Sequence, residues 1–317
     1  MAEKVETLDY YVKRALDFFD EKGDYTLKLP KSSHTLVIGS QTGLLAGRIL
    51  YRFAGKRFSY AKEVLAQYEI DTKKDMLEDV TIVSAGGKHE VVKIAEYALK
   101  EGMKVNAIVC EPQSELSKKF DNNSNYKEIL VKIPQDLKEP PTVNTITYGR
   151  MIQGVTHEDI SEIKQAVESL KEPEGGYDQF KAFTVILPNN MPEVSEMVDW
   201  KLRGENIGRC VGTTSVYLIN FMHGAGVTDA NGELYIALGL NKKEKKTFDQ
   251  VFEKVPEKRR HYIDVPAGFG PLGYMMLGYS VVGQIQKNYP DFQKNIWDYC
   301  KRAAEWERLS PLCDAKK

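Results

Sequence analysis

Short apolar runs alternate with helical repeats from the start of the chain. Leu8, Tyr11, Ala15 and Phe18 recur at helical spacing and predict an amphipathic opening helix. His34–Ile38 then reads as a short apolar strand, Gly39-Ser40-Gln41-Thr42-Gly43 as a tight polar turn, and Leu44–Phe53 as a helix with Leu45, Ile49 and Phe53 on one face. The same grammar repeats with a strand at Val80–Val83, a turn at Ser84-Ala85-Gly86-Gly87-Lys88-His89 and a helix over Glu90–Lys100. Gly102 stops that helix, and Val105–Cys110 is an almost continuous apolar strand. Such runs suit a parallel sheet covered on both faces. Strand, turn, helix and strand without hairpin signals predict a doubly wound sheet.

Pro134–Pro141 interrupts every pattern and reads as a linker. Beyond it a second α/β set is predicted: a helix near His157–Leu170, strands at Phe183–Leu187, Glu233–Leu240 and His261–Val265, and helices at Pro192–Leu202 and Thr247–Val255. Leu272–Gln286 and Phe292–Trp306 are helical by period. The expected fold is therefore α/β, with two tandem doubly wound, flavodoxin-like parallel-sheet units. Residues 1–140 with the N-terminal helix would form one unit, and residues 141–317 with the C-terminal helices the other.

Composition narrows the function. Across 317 residues, 44 Lys and Arg against 45 Asp and Glu leave a net charge of −1, which argues against a broad basic footprint for nucleic acid or an anionic membrane. No apolar run reaches the roughly 20 residues of a membrane span. The first 20 residues lack a signal-peptide core, so a cytoplasmic location is expected. Cys110, Cys210, Cys300 and Cys313 have no CxxC spacing, and no His, Asp or Glu cluster has metal spacing. There is no P-loop GxxxxGK[ST] and no GxGxxG, although Thr42-Gly43-Leu44-Leu45-Ala46-Gly47 has the TGxxxG spacing of some short-chain dehydrogenases. No cofactor is expected.

The two polar turns carry the candidate chemistry. Each follows a parallel strand and opens a helix, where free backbone N–H groups and the helix dipole favour an anion. Ser40, Thr42 and Ser84 add hydroxyl donors, and Lys88 adds a full positive charge. Gly- and Ser-rich turns also simply end strands, so the pair of turns, not either alone, makes the case.

Ile38–Arg48, Thr81–Leu99 and Val105–Leu116 resemble a sugar isomerase (SIS) domain. In that family a Gly/Thr/Ser loop and an S-x-S-G-x-T loop cradle a sugar phosphate, and a later strand ends in N-x-x-S-x-L, to which Glu111–Leu116 is similar. Double SIS chains include phosphoglucose/phosphomannose isomerases, the isomerase half of glucosamine-6-phosphate synthase, and fructosamine deglycases. The resemblance implies that Ser40, Gln41, Thr42, Ser84, Gly86, Gly87, Lys88 and His89 bind substrate. This chain departs from the pattern with Gly86 for the second Ser, His89 for Thr, and Gly43 at a hydroxyl position of the first loop.

By the same resemblance Glu205 would be the base that moves a proton through an enediol, and His223 the group that opens the sugar ring; their gap, 223 − 205 = 18, is slightly longer than usual. Arg150 would stabilise the enediolate, and Lys301 is the nearest match to a C-terminal Lys of the family. The expectation is a phosphosugar aldose–ketose isomerase without metal, binding a small-molecule phosphosugar and no nucleic acid or membrane. The family also implies a homodimer. A non-catalytic sugar-phosphate-binding protein and a deglycase of fructosamine phosphates are the alternatives.

Overall fold

A computed structural model describes residues 6–137, 139–140, 143–206, 212–224 and 232–289, with the backbone alone in 204–206, 212–213 and 223–224. Two compact units divide them: residues 24–157 form the first-sheet unit, and residues 6–23 with 158–289 the second-sheet unit.

The opening helix α1 (Leu8–Lys22) buries Leu8, Tyr11, Val12, Ala15, Leu16, Phe18 and Phe19, and Gly23 ends it at φ 62°. The first-sheet unit then runs β1 (Thr35–Gly39), α2 (Gln41–Phe53), β2 (Phe58–Lys62), α3 (Ala66–Lys73), β3 (Asp79–Val83), α4 (Glu90–Lys100), β4 (Lys104–Val109), α5 (Glu115–Phe120), β5 (Tyr126–Leu130) and α6 (Thr145–Thr156). All its strands are parallel, in the order β2-β1-β3-β4-β5. Every position of β1 and β3 is buried, as their continuous apolar runs require. Leu36, Ile38, Val80, Ile82, Val105 and Ala107 form the core with Val91, Ile94, Ala95 and Ala98 from one face of α4.

The second-sheet unit continues with α7 (Ile160–Glu168), β6 (Ala182–Leu187), α8 (Pro192–Asp199), β7 (Gly212–Tyr217), α9 (Leu218–Gly224), β8 (Glu233–Leu238), α10 (Lys242–Val251), β9 (Arg260–Ile263) and α11 (Pro271–Gln286). A π-helical stretch over Trp200–Asn206 prolongs α8. The sheet is again parallel, ordered β7-β6-β8-β9, which repeats the winding of the first four strands of the other unit. Helix α11 is apolar and buried around its whole circumference, the pattern of a central helix.

The unit boundary differs from the sequence expectation of 1–140 and 141–317. Helix α1 packs on α11 and α7, so it belongs to the second-sheet unit. Gly283 allows this: a Cβ there would collide with Asp9, and the Leu8 N–H donates to Gln286 Oε1 at 2.7 Å. The expected linker at 134–141 is an anchor instead. Glu139 within it accepts the N–H groups of Thr145 (2.9 Å), Ile146 (3.1 Å) and Thr147 (3.0 Å) and the Thr147 hydroxyl (3.0 Å), capping α6 and tying it to the first-sheet unit. Burial pushes the Glu139 carboxyl up, against these four bonds, which pull it down. The helix expected over Phe292–Trp306 lies outside the described residues.

Candidate functional site

A glycine stripe builds the first candidate site. Gly39, Gly43 and Gly47 stand four residues apart, and a Cβ on each would meet β1 or β3 closely: 2.9 Å from Val83 O at Gly39, 2.6 Å from Val83 O at Gly43, and 2.6 Å from Val37 Cγ1 at Gly47. The TGxxxG spacing is thus a device for seating α2 against the sheet. It brings the N-terminus of α2 to the carboxyl ends of β1 and β3, where the strand order reverses, the usual ligand crevice of an open α/β sheet.

Two loops flank that crevice. Ser40 and Gln41 are exposed, Thr42 is buried, and Ser40 is the N-cap of α2 without a side-chain capping bond. In the loop after β3, Gly87 takes φ 59° and packs so tightly on Ser114 that a Cβ would lie 2.9 Å from Ser114 Cβ. The Gly87 N–H donates to Ser84 Oγ at 3.1 Å. The stem of Lys88 lies along Gly86, with carbons 3.8–3.9 Å from where a Gly86 Cβ would stand. Lys88 and His89 are exposed. Gln41 and His89, at the mouths of α2 and α4, both hold positive φ (30° and 61°), a strained backbone that ligand sites commonly retain. Among the described residues the side chains of Ser40, Gln41, Thr42 and Lys88 have no hydrogen-bond or ion-pair partner.

Two groups near the crevice escape a sequence reading. The hydroxyl of Tyr148, on α6, stands 3.1 Å from where a Gly43 Cβ would be, so α6 closes the space that a serine at position 43 would fill. Glu115 accepts the His89 N–H at 3.4 Å. No local motif announces either contact, because the partners come from neighbouring helices.

Arg150 is buried. Its guanidinium lies 4.5 Å from the Tyr25 ring centroid and donates to Gln153 Oε1 at 2.5 Å. Burial lowers the guanidinium pKa and raises that of Tyr25. Burial pushes the Cys110 thiol pKa far up, with Glu139 and Glu111 adding to the effect. Among the described residues no three His, Cys, Asp or Glu side chains converge as metal ligands, and no helix is long and apolar enough to cross a membrane.

The second-sheet unit has a corresponding switch in strand order between β6 and β8, and there its own side chains take the loop N–H groups. Glu244 accepts the N–H of Asn189 at 2.9 Å and that of Asn241 at 3.2 Å. Asn241 Oδ1 takes the N–H groups of Lys243 and Glu244, completing a capping box on α10. Asn189 Oδ1 accepts from Ile219 at 2.8 Å. Glu205 stands in the π-helical stretch and His223 in α9, but their side chains lie outside the described residues, as does Lys301. Four residues before Glu205, Lys201 is fully buried with its ammonium 5.7 Å from the Tyr279 ring.

No family model and no curated protein matches the chain in sequence. Solved structures do match it in shape. Tagatose-6-phosphate ketose/aldose isomerase from Escherichia coli superposes with a TM-score of 0.61 at 14% identity, over 90% of this chain and 92% of that one. Glucosamine-6-phosphate deaminase from Thermotoga maritima gives 0.58 at 12%, over 90% and 92%. The C-terminal domain of glucosamine-fructose-6-phosphate aminotransferase from Francisella tularensis gives 0.59 at 12%, over 90% and 94%. The likeness is one of fold. These structures are named for an isomerase, a deaminase and an aminotransferase, so the shared fold alone does not choose a reaction.

Proposed function

We propose that the chain binds a phosphosugar, with the sugar's anion on the loops 40–42 and 84–89 of the first-sheet unit, and that it acts as an aldose–ketose isomerase. The observation that carries the binding is the set of donors at the β1/β3 crevice without a partner among the described residues: Ser40, Gln41, Thr42 and Lys88, beside two strained helix mouths. Hydroxyl, amide and ammonium donors around two helix N-termini suit a phosphate. In this reading Glu205 transfers the proton between the sugar's first two carbons, His223 opens the ring, and Arg150 and Lys88 supply positive charge. The protein works as a homodimer in the cytoplasm, built from two SIS units.

Two experiments test this in turn. Thermal unfolding against glucose, fructose, mannose and glucosamine 6-phosphates, with inorganic phosphate as control, should show a midpoint rise for one sugar; a ligand at 100 times its Kd adds about 2.7 kcal/mol. A flat response to every sugar overturns the reading. With the responsive sugar, Glu205→Gln should keep binding and lose about 10²-fold or more of turnover; full activity in that variant removes Glu205 from its role.

One observation favours binding without catalysis as a second reading. Gly43 and Gly86 leave the loops with fewer hydroxyls than the family pattern. Ligand binding with no deuterium exchange at the sugar carbons would select it.

A further inference from the structure

The loop after β3 is bolted to the loop after β4. Ala85 O accepts the N–H groups of Cys110 (2.9 Å) and Glu111 (3.2 Å), and Gly87 O accepts that of Leu116 (3.2 Å). Gly87 packs on Ser114, whose Oγ takes the Ser117 N–H at 3.0 Å and donates to Glu128 at 2.7 Å, fixing the start of α5. This lattice sets the position of Glu115, the first residue of α5, and its carboxylate meets the His89 N–H at 3.4 Å. That N–H opens α4, and a sugar anion seated on the loop would be drawn to the same group.

We infer that Glu115 is a built-in competitor for the anion: its carboxylate occupies part of the seat on α4 and lowers the affinity of the crevice for a doubly charged ligand. The inference rests on the proposed phosphosugar site. The contact is exposed and long, so its weight is that of one surface charge near a helix terminus. Replacing the charge relieves the repulsion and loosens the hold on the N–H, because an amide oxygen is a weaker acceptor than a carboxylate. The fold does not depend on it, because the backbone bonds and Ser114 hold the loops together without the Glu115 side chain.

The test compares the wild type, Glu115→Gln and Glu96→Gln for binding of glucose, fructose, mannose and glucosamine 6-phosphates and of inorganic phosphate by calorimetry. Glu96 is the control: it is exposed on α4 and paired with Lys119 at 2.7 Å, so its change removes one charge from the same helix without touching the loop. Glu115→Gln should tighten binding by about two- to fivefold, with Glu96→Gln unchanged. Equal affinities in all three proteins, or the same gain in both variants, overturn the role of Glu115 and leave the site standing. Absence of binding in all three, across the four sugar phosphates, overturns the site itself and the inference with it. Unfolding midpoints without ligand should agree among the three, which separates a change at the seat from a change in the fold.

Discussion

At the crevice between β6 and β8, the N–H groups of Asn189 and Asn241 both end on Glu244. At the corresponding crevice between β1 and β3, the side chains of Ser40, Gln41, Thr42 and Lys88 find no partner among the described residues. The winding is the same, and so is the treatment of the last helix: Glu139 caps α6 and Glu158 caps α11, accepting the N–H groups of Gly270, Leu272 and Gly273. The fold therefore repeats one crevice, and side chains decide how the groups at each are satisfied. In the second-sheet unit a carboxylate in the first turn of α10 takes the loop N–H groups, while at the β1/β3 crevice the side chains of Ser40, Gln41, Thr42 and Lys88 are left without a partner among the described residues.

The largest break in this contrast is expected from Gly43→Ser, which adds a hydroxyl to the first turn of α2. Its Cβ would lie 2.6 Å from Val83 O and 3.1 Å from the Tyr148 hydroxyl. Serine gains up to about 0.5 kcal/mol of helix propensity over glycine, but overpacking at this level costs about 1–3 kcal/mol. Urea unfolding should show a net loss. Gly86→Ser, an added hydroxyl on the second loop, meets only the Lys88 stem at 3.8–3.9 Å and should leave stability within about 0.5 kcal/mol. Equal costs at the two positions would show that the stripe at α2 is not what excludes a side chain.

Next in size is Glu244→Ala. It leaves two part-buried backbone N–H groups without their acceptor, breaks the capping box of α10 and should cost about 1 kcal/mol. High inorganic phosphate should return part of that loss in the variant by taking the vacated place, and the wild-type midpoint should respond less. No difference in the phosphate response would mean that Glu244 is only a cap for α10.

The winding was legible in the sequence because central strands announce themselves. β1, β3, β4, β6 and β8 are buried on both faces and read as apolar runs. The pattern predicts none of β2, β5 and β7, which are sheet edges; β2 and β5 are only partly covered, so their apolar and polar positions mix. The two loops after β1 and β3 were visible as Gly- and Ser-rich turns. The contacts of Tyr148, Glu115 and Glu244 were not, because each reaches across elements and only packing brings it to a crevice.

Lys88→Met keeps the stem over Gly86 and removes the ammonium. Phosphosugar affinity should fall about fivefold, close to one exposed charge-assisted bond, while the unliganded midpoint stays put. An unchanged affinity would shift the anion to the 40–42 loop alone.

The smallest expected effect is a pH dependence confined to the second-sheet unit. Burial lowers the pKa of His261, and its Nε2, which donates to Lys171 O at 3.0 Å, only partly offsets this. A histidine depressed on folding resists the proton that the unfolded chain accepts. Its contribution to stability is therefore present above the unfolded pKa, about 6.5, and declines as pH falls below it. The ring is partly exposed, so the loss is a fraction of the roughly 1.4 kcal/mol that a full unit would carry. His261→Gln retains an amide donor for Lys171 and cannot titrate. The stability difference between wild type and this variant, followed by urea unfolding from pH 8 to pH 5.5, should move against the wild type as pH falls. A constant difference would place the acid response of the chain elsewhere and remove this asymmetry between the units.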